Sequence, residues 1–389
     1  MRTGYRRLYL YSKGAVSLKR VKKAVATLLI ALLALSLCGC DNGTYSRREI
    51  VLGSSIMLSV SARGGSAKKA ADEMFELASA VFDNMDLSNE VGTLSRFNRA
   101  DKDVPIEIDE HIYNLIKLSE TVYDRSGGAF DPTSLPLSKL WKVDISSISG
   151  AQGEALPEKS AVDETLLHVG MDKISCYESE GKYYLEKSDP KAELDLGGIA
   201  KGYFVDLCVE IARENELESA LIDLSGNIYL YGGSIKSGGD WQVGIISPRP
   251  RGFATSYVAA VRSPGNTSFV TTGDYQRYYL SDEGLYVCHV IDPRSGLPIG
   301  ITYDEETGEY AQDSSAVISA TVCGSVSASC DAYSTAVAVL GAGEGAELMK
   351  EQCLSAFILT GDKKRVSVGE WDMIAGYDEY LGYESVGAL

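Results

Sequence analysis

Residues 195–206 read DLGGIAKGYFVD, and this stretch constrains the chain more than any other. Two adjacent glycines between an apolar run and a helical pattern dictate a tight turn, because residues without a Cβ let another group approach the backbone closely. The pattern predicts a strand ending in Leu194-Asp195-Leu196, a turn at Gly197-Gly198, and an amphipathic helix to about Asn215 that buries Phe204, Leu207, Val209 and Ile211. The start of such a helix offers free N–H groups and a partial positive charge, and Lys201 adds a full charge in the first turn. That arrangement suits phosphate. A plain strand-to-helix connection has the same pattern, and the stretch alone does not separate the two readings.

The N-terminus is of a different kind. Residues 1–23 hold eight Lys or Arg and no acid, and residues 24–37 are apolar except for Thr27 and Ser36. Fourteen such residues are fewer than the ~20 that span a bilayer and suit the core of a secretory signal. The run ends in Leu37-Cys38-Gly39-Cys40, which resembles a bacterial lipobox. That resemblance implies a leader over 1–39, a lipid on Cys40, a tether over 40–48 and one domain over 49–389. Asp41 resembles the inner-membrane retention residue of some lipoproteins. The expected location is extracytoplasmic, anchored to the inner membrane, with an uncleaved signal anchor as the alternative.

The whole chain carries a formal charge of −17, and loss of the eight leader cations makes the remainder more acidic still. Such a surface repels nucleic acid, and an anionic ligand would need local compensation from Lys201 or a divalent cation. Beyond Cys40 there are six cysteines, at 176, 208, 288, 323, 330 and 353, with no CxxC pair, which disfavours zinc. Buried thiols are expected at most of them.

Along the body, residues 49–61 alternate like a half-buried strand, and 67–85 and 109–125 have helical periodicity, with Asp109 placed to cap the second. Ser88–Asn98 reads as a loop. Pro132 and Pro136 argue against a helix across GAFDPTSLPLSKLW (128–141), and 144–165 reads as a surface excursion. Strands are expected at 219–224, 227–232, 241–247, 256–262, 266–271, 285–292 and 316–323, with a hairpin turn at 232–239. The acidic run 302–315 reads as an exposed insertion, and 330–341 as a helix. The fold class is therefore α+β, with mixed antiparallel sheets and packed helices.

Asp331 and Thr335 stand four apart on that last helix and share a face. One carboxylate and one hydroxyl suit Mg²⁺, although an Asp beginning a helix also serves as an N-cap. Of three histidines, His111 and His168 read as surface residues. His289 ends a strand just before Val290-Ile291-Asp292-Pro293, where an imidazole can be a base, a donor or simply structural.

Five stretches, in order, resemble the ApbE family of FAD:protein FMN transferases: LGS (52–54), GAFDPT (128–133), DLGGIAKGYFVD (195–206), HVIDPRSGLP (289–298) and DAYSTAVAVLG (331–341). TLSRFN (93–98) and TTGDY (271–275) agree more loosely. The resemblance covers about residues 50–361 and implies a single ApbE-like, T-fold-related domain. It also implies Mg²⁺-dependent transfer of the FMN half of FAD to a Thr or Ser hydroxyl of an exported or membrane-bound acceptor protein, with AMP leaving. On the same basis Leu52, Ser88, Ala129, Phe130, Asp131, Asp195, Lys201 and Ile291 would contact FAD. Gly198, Asp331 and Thr335 would hold the metal, and His289 would position or deprotonate the attacking hydroxyl.

The chain departs from the family pattern in three places. Leu52-Gly53-Ser54 stands for Met-Gly-Thr, Ser88 for a tyrosine that stacks on the flavin, and Ser225-Gly226 for paired glycines. An FAD pyrophosphatase or a non-catalytic FAD-binding lipoprotein are the alternatives that share these motifs.

Overall fold

Gly202, inside DLGGIAKGYFVD, lies where two helices cross with no room for a side chain. A Cβ there would fall within the backbone of Ser327 and Ala328. The computed structural model describes residues 43–52, 56–144, 151–250, 257–376 and 381–388. The leader over 1–39, Cys40, Asp41 and the Gly53-Ser54 of LGS lie outside the described residues.

In chain order the elements are β1 (Thr44–Leu52), β2 (Ile56–Arg63), α1 (Ala67–Phe82), α2 (Thr93–Arg99), β3 (Ile106–Ile108), α3 (Glu110–Arg125), α4 (Leu135–Leu140), β4 (Ala151–Glu154) and α5 (Lys159–Leu166). They continue as β5 (Ile174–Ser179), β6 (Lys182–Lys187), α6 (Ala200–Glu214), β7 (Ser219–Leu224), β8 (Asn227–Gly232), β9 (Trp241–Ile246), β10 (Tyr257–Ser263), β11 (Thr267–Gly273), β12 (Tyr278–Ser281) and β13 (Tyr286–Cys288). The last are β14 (Ile301–Asp304), β15 (Glu309–Gln312), β16 (Val317–Gly324), α7 (Ser327–Glu351), β17 (Ser355–Thr360), β18 (Lys364–Val368), β19 (Asp372–Gly376) and β20 (Glu384–Ala388).

The main sheet runs β1-β2-β7-β8-β11-β16-β17-β18-β20, antiparallel except where β18 meets β20. Helices α1, α6 and α7 cover one face, and β19-β10-β9 lies over part of the other. Both layers show in β17, where Ala356 and Ile358 point to the helices while Phe357 and Leu359 point to the small sheet. Covered on both sides, β16 is buried from Val317 to Cys323. Each large apolar side chain so enclosed contributes about 1.5–3 kcal/mol. A third cluster, with Leu137, Trp141, Val162, Val287 and Ile291, supports the loops at one end.

Helix α3 forms as its pattern predicts: Asp109 accepts from the Ile112 N–H at 2.9 Å, Arg125 sits in the last turn, and Ile112, Leu115, Ile116 and Val122 are buried. Helix α7 has no side-chain cap of its own. Asp206 of α6 supplies one, its two carboxylate oxygens accepting from the N–H groups of Ser327 at 2.7 Å and Ala328 at 2.8 Å. Burial pushes the Asp206 carboxyl up to about 6, against the pull of those two bonds.

Several sequence expectations need correction. The strand over 49–61 is an antiparallel pair, and it starts at Thr44, paired with Arg63, so half of the expected tether lies in the sheet. Helix α2 replaces part of the loop over 88–98 because Leu94 and Phe97 pack inward one turn apart. Pro136 falls in the first turn of α4, where no N–H is needed, so it does not prevent the helix. No strand precedes Gly197. Asn98 brackets Leu194 instead, its amide donating to the Leu194 carbonyl at 2.9 Å and accepting from the Leu194 N–H at 2.8 Å. Residues 232–239 lead from the main sheet to the small one and are not a hairpin turn. The excursion at 144–165 holds β4 and α5, with Val162 fully buried. The strand expected at 285–292 shortens to β13, and α7 extends well beyond 330–341, with a break at Gly341 (φ 82°). The acidic insertion is the exposed hairpin β14–β15.

Gly202→Ala should lower stability by about 1–3 kcal/mol or more, because the clash is with backbone rather than a movable side chain. Urea unfolding measures this, and a change below about 0.5 kcal/mol would contradict the close crossing.

Candidate functional site

A single cleft collects most of the residues picked out by sequence. Ala129, Phe130, Asp131, Asp195, Gly198, Lys201, His289, Ile291, Asp331 and Thr335 all line it. Ser88 does not: it is exposed and donates to Asp86 through its N–H at 2.8 Å and its hydroxyl at 2.7 Å. Leu52 closes β1.

One wall is α7. Asp331 is buried, and its Oδ2 accepts from the Gly202 N–H at 2.9 Å while Oδ1 stands 3.6 Å from the Lys201 Nζ. Burial raises the Asp331 pKa, and Lys201 acts in the opposite direction. Thr335 follows one turn later, its Oγ1 3.3 Å from the Thr272 hydroxyl. The opposite wall is the glycine turn. A Cβ on Gly198 would stand 3.8 Å from the Thr335 Oγ1 and 3.2 Å from the Phe130 ring, so turn and helix nearly touch.

The helix start is not free to bind phosphate in the way its sequence suggests. The Gly197 N–H is bound to Asp195 Oδ1 at 2.8 Å, the Gly202 N–H to Asp331, and Lys201 donates to the Gly197 carbonyl at 2.8 Å. The Gly202 bond joins α6 to α7, and the bond to the Gly197 carbonyl holds the lysine inside the cleft.

The GAFDPT loop forms the floor. Asp131 Oδ1 accepts from the Thr133 N–H at 2.8 Å and its hydroxyl at 2.6 Å, and burial still pushes its carboxyl up to about 6. The Pro132 carbonyl accepts from the Asp195 N–H at 2.8 Å, which ties this loop to the glycine turn.

His289 enters from the loop after β13. Its Nδ1 lies 3.2 Å from the Arg277 carbonyl, which only accepts, so Nδ1 carries the proton and Nε2 keeps the lone pair. Burial, then the charge of Arg277, pushes its pKa down to about 3. The other two histidines are half-buried and do not line the cleft. His111 Nδ1 is 3.1 Å from the Tyr203 hydroxyl and His168 Nδ1 is 2.7 Å from Asp189.

Sequence reasoning passed over Asn227 and Arg277 and met Thr272 only within TTGDY; all three also line the cleft. Asn227 begins β8 after the two-residue turn Ser225-Gly226, both with positive φ (50° and 97°), which explains why glycine is favoured there. The Ser225 hydroxyl compensates by accepting from the Met57 N–H at 2.8 Å. Arg277 lies two residues past TTGDY, and nothing in its spacing singles it out.

Among the described residues no three His, Cys, Asp or Glu cluster as a metal cage. One buried carboxylate, one hydroxyl and the glycine turn make an all-oxygen set, which fits Mg²⁺ and leaves positions for water and phosphate. All six cysteines beyond Cys40 are free thiols, and all but Cys353 are buried.

The sequence profile of the ApbE family matches residues 52–358. The FAD:protein FMN transferase of Treponema pallidum is 28% identical over 370 residues, covering 90% of this chain and 96% of that protein. The one from Haemophilus influenzae is 27% identical over 349 residues, covering 87% and 93%. Among solved structures, the ApbE protein of Thermotoga maritima superposes with a TM-score of 0.67 at 23% identity, over 82% of this chain and 95% of the other. The flavinyl transferase ApbE of Pseudomonas stutzeri gives 0.66 at 23%, over 82% and 91%.

The buried imidazole offers a direct check. Histidine NMR should show one ring, absent in His289→Asn, that stays neutral from pH 8 down to about 5, because a depressed pKa delays protonation until far below the usual ~6.5. A midpoint near 6.5 for that ring would contradict this environment.

Proposed function

The chain belongs to the ApbE family, and from that footing we propose that it is an FAD:protein FMN transferase, passing the FMN half of FAD to a Thr or Ser hydroxyl of an acceptor protein with release of AMP. The observation that carries this is the meeting, in one cleft, of Asp331 and Thr335 on α7, the Gly197-Gly198 turn, Lys201 and His289.

The reaction exchanges the phosphoanhydride linkage of FAD for a phosphate ester on the acceptor. The acceptor oxygen attacks the FMN-side phosphorus, the P–O bond to the bridging oxygen breaks, and AMP carries that oxygen away. The barrier is lowered by in-line positioning and by neutralising charge on the phosphates. Bound Mg²⁺ would supply part of that neutralisation, held by Asp331, Thr335 and a main-chain oxygen of the turn, with Gly198 our assignment. Lys201 adds a fixed cation beside them. His289, neutral with Nε2 unprotonated, is placed to accept the proton of the attacking hydroxyl. Its low pKa makes it a weak base in the free protein, and the negative charge of a bound diphosphate would raise it. Ala129, Phe130, Asp131, Asp195 and Ile291 shape the FAD pocket.

We further assign Cys40 as the lipidated residue and the inner membrane as the anchor, which places the acceptor outside the cytoplasm. The support is the leader pattern alone.

Protein from Cys40 onward, given FAD, Mg²⁺ and a candidate acceptor domain, should yield acceptor heavier by one FMN in mass spectrometry. Asp331→Asn should reduce the rate by about 100-fold or more, as expected for loss of a group that organises the transition state, and so should excess chelator. FMN appearing free, with unmodified acceptors, would replace transfer by hydrolysis; full activity in chelator would remove the metal from the scheme.

A further inference from the structure

Among the described residues Arg277 is the one arginine lining the cleft, and its backbone and side chain do different things. The carbonyl holds the His289 ring and the His289 N–H, at 3.2 and 3.1 Å. The guanidinium is half-buried and forms no hydrogen bond or ion pair with any of the described residues. Asp195 and Asp144 are the opposite charges that act on it, neither at contact distance, and burial lowers its pKa. A guanidinium presents five donors in a rigid fork. Leaving such a group partly desolvated without an acceptor costs free energy unless a ligand supplies one.

The other cation of the cleft is already engaged. Lys201 donates to the Gly197 carbonyl and faces Asp331. The ionisable side chains lining the cleft are four aspartates, Asp131, Asp144, Asp195 and Asp331, against Lys201, Arg277 and a His289 that stays neutral. An anionic substrate entering this lining meets one cation whose donors are unoccupied among the described residues. We propose that the Arg277 guanidinium binds the diphosphate of the incoming FAD through charge-assisted hydrogen bonds, positioning it beside His289. The proposal rests on FAD being the substrate.

Arg277 and His289 would then work as a pair. The main chain of residue 277 fixes the imidazole, and its side chain fixes the phosphates, so one residue sets the separation between base and electrophile. Loss of the guanidinium leaves the carbonyl in place, so the two roles can be separated by mutation.

Binding of FAD, ADP and riboflavin to the protein from Cys40 onward, with Mg²⁺ present, tests this by calorimetry. Arg277→Met should weaken FAD and ADP each by roughly 10- to 100-fold, the range for a hydrogen bond to a charged group. Riboflavin, which has no phosphate, should change less than about twofold. Arg277→Lys keeps the charge and loses the fork, and should fall between Arg277→Met and the parent. In turnover, KM for FAD should rise more than kcat falls, and the His289 ring should titrate at higher pH in Arg277→Met. Unchanged ADP affinity in both variants overturns the assignment, as does an equal loss for riboflavin, which would mark a structural role. If Arg277→Met does not fold, Arg277→Lys with parental ADP and FAD affinities overturns it alone. A parent that binds neither FAD nor ADP would instead bring down the flavin reading itself, and this assignment with it.

Discussion

The crossing of α6 over α7 determines most of what surrounds it. Asp206 on α6 satisfies the first N–H groups of α7, and Asp331 on α7 satisfies the Gly202 N–H of α6. Each helix therefore caps the other, and each bond is charge-assisted and removed from solvent. The missing Cβ at Gly202 brings the backbones close enough for both bonds to form. Two segments more than a hundred residues apart in sequence are locked in register, and the carboxylate that faces the cleft is oriented by the same bond that stabilises the crossing.

That economy places burden on a few acids. Asp131, Asp206 and Asp331 are all held in surroundings that disfavour their charge, and each is compensated by backbone N–H groups. In a chain as acidic as this one, the repulsion among them is opposed by donors fixed in the fold rather than by surface cations. Breaking one such set would leave a buried charge with too few partners, a change that typically costs about 3–5 kcal/mol. On the α6–α7 side of the cleft the carboxylates are tied to backbone donors, whereas on the other side the Arg277 guanidinium has no hydrogen-bond partner among the described residues.

Much of the site was legible because its residues lie in dense local motifs. GAFDPT, DLGGIAKGYFVD, HVIDPRSGLP and the Asp331–Thr335 pair all face one cleft. The part that was not legible depends on tertiary pairing. Gly202, the last glycine of GGIAKG, and Asp206, which ends DLGGIAKGYFVD, sit in the same dense motif as the cleft residues, yet both serve the helix crossing. Leu194–Leu196 looks like a strand but finds its partner in the side chain of Asn98, which no local pattern announces. Arg277 could not be found from spacing, since its significance lies in what the guanidinium does not touch. In the periphery, α2 was missed because 88–98 reads as turn-rich, although Gly92 stands at the helix start, and α4 because Pro136 argues against a helix although it stands in the first turn, where proline is tolerated.

The position of Lys201 has a consequence for how such a protein is made. A carboxylate destined for a divalent ion is normally a liability until the ion arrives, since its charge has nothing to oppose it. Here the ammonium group, 3.6 Å away, already opposes it. If Asp331 holds an ion as proposed, the lysine is an internal placeholder: the polypeptide would complete its fold with an ordinary side chain in the role of counter-ion and accept the inorganic one afterwards. Maturation would thereby be uncoupled from mineral supply, and arrival of the ion would become a matter of exchange rather than assembly.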